Sequence, residues 1–146
     1  NYRLSELAAV VGVAQIRRLE EIATDRRQTA ARYNHAFSGI DEVGTPMVAA
    51  GDVWNVQSYV VLLDDSIDRD ATIVAMGERG IETTVGTYAM HAQPAFGSLG
   101  YEPGDLPNSL RAAQSSLTLP VLPRMVPGDV DRVVAALVDS VRDARR

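Results

Sequence analysis

Six residues in the middle of the chain, Gly86-Thr87-Tyr88-Ala89-Met90-His91, bring together a glycine, a hydroxyl, a phenol and an imidazole. The stretch runs on through Ala92-Gln93-Pro94 and follows the strand-like Ile81-Glu82-Thr83-Thr84-Val85. Phenol and imidazole can each donate or accept a hydrogen bond, so the segment has the chemistry of a binding turn. The same residues also suit a connecting loop whose His91 hydrogen-bonds a neighbour. The two readings differ in geometry. A helical or tight turn aims residues three apart to one side, whereas an extended chain opposes them. As a binding turn, the segment is expected to present Tyr88 and His91 together, both at least partly exposed, toward a cleft.

Other chemistries find little support. His35 and His91 lack a cysteine or a carboxylate at ligand spacing, so no metal site is expected. No glycine-rich nucleotide loop, HExxH or GxSxG is present. His35 reads as a solvated residue, and Asp64-Asp65 as a turn former at a strand end. Trp54 reads as core, with lining a pocket as the alternative.

Composition narrows the classes further. The 146 residues carry a net charge of −5, against a non-specific nucleic-acid binder. There is no run of ~18 apolar residues and no leader segment, so no membrane role is expected. The absence of cysteine fits a cytoplasmic protein. Every basic side chain apart from the two histidines is arginine; there is no lysine, so the chain cannot supply a Schiff-base amine from a side chain. It opens at Asn1 without an initiator methionine, which points to a piece of something longer.

The elements that would position the central turn follow from periodicity. Residues 4–37 read as helical, capped by Ser5 and stopped at Ser38-Gly39, with a phase shift near Ile16 that predicts two helices or a bend. Residues 41–52 read as a loop and 53–63 as a strand. A helix over 69–79 follows Asp68 as cap, with Gly80 as its terminal glycine. Ile81–Val85 reads as a buried second strand that Gly86 releases into the turn. Asn108 is expected to cap a short helix, 117–121 to form a third strand, and Pro127 to begin the last helix. The fold class is therefore α/β of the α+β type: a small three- to four-stranded sheet with helices packed on one face.

With these segments placed, the sequence resembles the C-terminal part of the DegT/StrS family of pyridoxal-phosphate-dependent aminotransferases. Asn1-Tyr2-Arg3 resembles the family's Gly-x-Asn-x-Arg segment, and Gly12-Val13-Ala14-Gln15 with Arg32-Tyr33-Asn34 the helix after it. Gly80-Ile81-Glu82-Thr83 and Tyr88-Ala89-Met90-His91 resemble its Gly-Ile-x-Thr and tyrosine–histidine turn. Ser116-Leu117-Thr118-Leu119-Pro120-Val121-Leu122-Pro123 with Met125 resembles its closing motif. Many members carry His-Tyr followed by Pro-Leu-His in the turn, where this chain has Thr87-Tyr88-Ala89-Met90-His91.

The resemblance implies that residues 1–146 form the small C-terminal domain of the aspartate-aminotransferase fold, with the catalytic lysine in an upstream large domain. It implies a homodimeric enzyme that moves an amino group from an amino-acid donor to a keto sugar, in the family's usual pattern a nucleotide-linked one. It implies that Asn1 contacts the phosphate of pyridoxal phosphate across the dimer interface, and that Arg3, Tyr88 and His91 face the substrate. A non-catalytic dimerisation or binding domain, or a transaminase of a cyclic ketone or aminocyclitol precursor, are the other readings.

Overall fold

The computed structural model describes residues 3–146. Helix α1 spans Glu6–Ile16, and Ser5 caps it by accepting the Ala8 N–H at 3.2 Å. The expected break falls at Arg17-Arg18, after which α2 spans Leu19–Ala36. The two helices differ in what they bury. Thr29, Ala30 and Tyr33 of α2 are buried, whereas α1 buries none of its residues. Leu7, Val10, Val11, Val13 and Ile16 of α1 are all exposed. The run read as helical over residues 4–37 therefore packs on the core only in its second half.

Four strands form one antiparallel sheet in the order β1-β2-β4-β3: β1 Val43–Gly44, β2 Tyr59–Leu63, β3 Thr84–Val85 and β4 Ser116–Leu119. The short β1 lies inside the stretch read as loop; two residues are too few to show a period. Residues 53–58, expected to begin β2, lie outside it, and Val56 sits at φ +51°, a left-handed conformation that ends any extended run. The strand expected over 81–85 pairs only at its last two residues. Along β2, Tyr59, Val61 and Leu63 are buried while Val60 and Leu62 are not, the period-two signature of a sheet with one face on the core.

Helix α3 (Arg69–Glu78), α4 (Pro107–Ser115) and α5 (Pro127–Asp143) complete the fold. Val130, Val133, Leu137 and Val141 give α5 its buried stripe, and they join Tyr33, Tyr59, Met76, Leu117 and Leu119 in one core. Pro127 occupies the first turn of α5 as expected; Pro107, rather than a capping Asn108, opens α4. Trp54 is half-buried at the margin of this core, its ring 6.1 Å from that of Tyr59.

Asp68 caps α3 by accepting the Ala71 N–H at 3.0 Å, and that bond is the chief cause holding its carboxyl below the ordinary range. Asp64 is held low first by the Ser66 hydroxyl, at 2.6 Å, in the turn expected of it. Both bonds favour the carboxylate. The stability they contribute is present above the unfolded-state value and is lost as pH falls through the lower folded value. Thermal stability is therefore expected to fall below about pH 4. Asp68→Asn should narrow the difference in melting temperature between pH 7 and pH 3 without abolishing it, because Asp64 still titrates. An unchanged pH difference in that variant would count against Asp68 as a source of acid sensitivity.

Candidate functional site

The central turn leaves the sheet at Gly86, whose N–H donates to the Ser116 carbonyl at 3.1 Å. The Thr87 N–H donates to Ser116 Oγ at 3.0 Å. Ser116 is itself held from the other side, since Arg69 Nη1 donates to its carbonyl at 3.0 Å and to that of Ala113 at 3.1 Å. The Arg69 side chain is only 12% exposed, and its Nε also meets Asp70. The base of the turn is thus a buried, bonded joint between α3, the end of α4 and β4. Nothing in the spacing of Arg69 or Ser116 pointed to this role. It arises from contacts between residues 29 to 47 positions apart.

Beyond the joint the chain runs extended before a single 3-10 turn at Met90–Ala92. Tyr88 and Met90 are exposed, while Ala89 and His91 are buried. This alternation is that of an extended strand, so Tyr88 and His91 point to opposite sides. Tyr88 is 70% exposed and His91 only 8%. The expectation that both would be presented together is corrected: Ala89 at φ −84°, ψ 106° keeps the backbone extended between them.

The geometry fixes the chemistry of His91. Its Nε2 lies 3.0 Å from the carbonyl oxygen of Pro103, which opens another 3-10 turn, Pro103–Asp105. A carbonyl only accepts, so Nε2 carries the proton and donates. In the neutral ring Nδ1 is then a bare acceptor, and it is buried without a partner. His91 therefore ties two loop segments together, as the connecting-loop reading expected. Tyr88, by contrast, offers its phenol to the outside.

Arg3 is exposed ahead of the capped start of α1. Asn1, expected at the cofactor phosphate, lies outside the described residues. His35 is exposed on α2, as read. Among the described residues there is no cluster of side chains suited to a metal ion, and no helix is long and apolar enough to cross a membrane.

Several residues that carried the family resemblance prove to be fold determinants. Tyr33 Oη donates to the Pro120 carbonyl at 2.9 Å, and Tyr59 Oη to Asn34 Oδ1 at 2.7 Å. Gly80 adopts φ +72°, where a side chain is strained. Ile81 and Thr83 are buried.

A four-stranded antiparallel sheet with this helix arrangement is shared with aminotransferases of the aspartate-aminotransferase-like fold. The chain belongs to the DegT/DnrJ/EryC1/StrS aminotransferase family, whose pattern it matches over residues 1–138. It is 32% identical to the spore coat polysaccharide biosynthesis protein SpsC of Bacillus subtilis (strain 168), over 95% of this chain and 37% of that protein. It superimposes on the aminotransferase TlmJ from Streptoalloteichus hindustanus with a TM-score of 0.81 at 33% identity, covering 93% of this chain and 36% of that one. With S. venezuelae DesV the TM-score is 0.85 at 26% identity, covering 94% and 36%. The chain thus spans little more than a third of the length of the relatives it matches.

Proposed function

We propose that residues 1–146 are the C-terminal small domain of a pyridoxal-phosphate-dependent aminotransferase that converts a nucleotide-linked keto sugar to an amino sugar. The observation that carries this reading is the family match across residues 1–138. The sugar-related context of the matched SpsC, a polysaccharide biosynthesis protein, supports the substrate class. In the bound state the cofactor supplies the electron sink that lets an amino group leave an amino-acid donor and reach a ketone.

The groups this chain offers suit anchoring rather than covalent capture. It contains no lysine. Its N-terminal segment offers the Asn1 amide and the Arg3 guanidinium, donors matched to phosphate or diphosphate oxygens. In this reading Asn1 serves the phosphate in the partner subunit's site of a homodimer, and Arg3 binds the substrate's charged end. Tyr88 hydrogen-bonds the sugar from the exposed side of its turn. His91 acts on the same site by fixing the turn from behind, bonded to Pro103.

Helix α1 supports an interface role. Its large apolar residues lie on all sides and are exposed here, a distribution typical of a helix enclosed by other protein. A non-catalytic pairing domain would share that feature, so kinetics must separate the two. In the full-length homodimer, Tyr88→Phe is expected to lower kcat/KM for the keto sugar about five-fold, the effect of one lost hydrogen bond of ~1 kcal/mol, with cofactor retention unchanged. Unaltered kinetics with a lower melting temperature would make the turn a structural brace instead.

A further inference from the structure

The antiparallel ladder between β3 and β4 stops early, and the reason is chemical. Gly86 bonds to Ser116, and Thr84 stands opposite Thr118. Bonding pairs alternate along such a ladder, so the next would join Glu82 to Pro120. Pro120 has no N–H to donate. Its carbonyl already accepts from Tyr33 Oη at 2.9 Å. The pair lacks its donor on the Pro120 side and does not form, and neither the N–H nor the C=O of Glu82 bonds to another backbone group among the described residues.

Residues of both segments beyond that point line an open cleft of about 530 Å³, within the usual range for small-molecule sites. Ile81, Leu119, Leu122, Met125 and Val133 give it apolar walls. Thr83, which also lines it, is nine-tenths buried, and its Oγ1 has no partner. Arg132 lines the cleft with its Nη2 donating to the Gly80 carbonyl at 3.0 Å, while the Glu82 and Asp129 carboxylates make the surroundings unfavourable to an anion.

We propose that this cleft binds a small amphipathic molecule with an apolar body and a neutral polar end that pairs a donor with an acceptor, as a primary amide does. Such an end supplies Glu82 with the partners that Pro120 does not, beside the buried and unpartnered Thr83 hydroxyl. The apolar body lies against Leu119, Leu122 and Val133. This inference rests on the geometry of the sheet and not on the transaminase reading.

The test is a nuclear magnetic resonance titration of the isotope-labelled protein with 2-phenylacetamide, compared with methyl phenylacetate, which keeps the shape but has no N–H. Saturable shifts confined to residues 80–84, 118–122 and 129–133, with the ester at least about ten-fold weaker, are expected from the loss of the donor. Leu122→Trp fills the mouth of the cleft and should abolish the shifts. Leu122 is 62% exposed, so this variant should fold, which its melting curve checks. Absence of saturable binding, equal binding of amide and ester, shifts centred elsewhere, or unimpaired binding by the folded Leu122→Trp variant would each overturn the proposal.

Discussion

Gly86→Ala is expected to destabilise the protein by ~1–3 kcal/mol, the cost of overpacking a filled site. A Cβ at this position would sit 2.5 Å from Val60 Cγ1 and 2.7 Å from both Cβ and Oγ of Ser116. None of these is the far end of a long side chain. Val60 is β-branched and stiff about χ1. Ser116 is 1% exposed, and its Oγ accepts from Thr87 while its carbonyl accepts from Gly86 and Arg69. Relief therefore requires moving the turn, which breaks bonds at its base. Gly86→Val should cost more. Gly97→Ala is the control, because nothing lies within 4 Å of its added Cβ, and it should change stability by no more than ~0.5 kcal/mol. Urea denaturation measures the difference. Equal midpoints for Gly86→Ala and wild type would show that the sheet yields there at no cost. Under the role proposed for Tyr88, the same change in the full-length protein should impair activity alongside stability, since Tyr88 is carried on the displaced segment.

An all-or-none effect is expected from the absence of lysine. Pyridoxal phosphate mixed with this chain, its terminal amine blocked, should form no covalent adduct that borohydride can trap, because no side chain supplies a primary amine. Mass spectrometry after reduction reads this directly. With the terminus unblocked, any adduct should map to residue 1 alone. A specific adduct that survives the block would contradict the division of labour proposed above, in which covalent capture belongs to residues outside this chain. The complementary observation is that the full-length enzyme should trap the cofactor on a lysine outside these residues.

The local elements were readable because their signals are local. Ser5 and Asp68 cap helices through side-chain bonds to the third residue onward, Gly80 ends α3 in a left-handed conformation, and Pro127 opens α5. Each depends on a few neighbours and on backbone sterics. The α5 stripe was equally legible, because Val130, Val133, Leu137 and Val141 share one side of a regular helix. The family could be recognised from short motifs in register, since each motif keeps its identity whatever lies around it.

Tertiary structure alone decided how far each element extends and which way its side chains point. Residues 53–58 have strand-forming types, yet Val56 turns left-handed and the ladder begins only at Tyr59. Ile81–Val85 pairs at two residues because Pro120, far along the chain, has no N–H to continue the ladder. The apolar residues of α1 were visible, but their exposure was not, because residue type does not specify what covers a side chain. The three-residue spacing of Tyr88 and His91 was compatible with one side or two. The extended Ala89 chose two, and the Pro103 carbonyl drew the imidazole inward. Sequence determined the class of protein and the residues with chemistry to offer. Long-range packing decided which of them faces outward, because that direction is fixed by backbone torsions and bonding partners that no local spacing encodes.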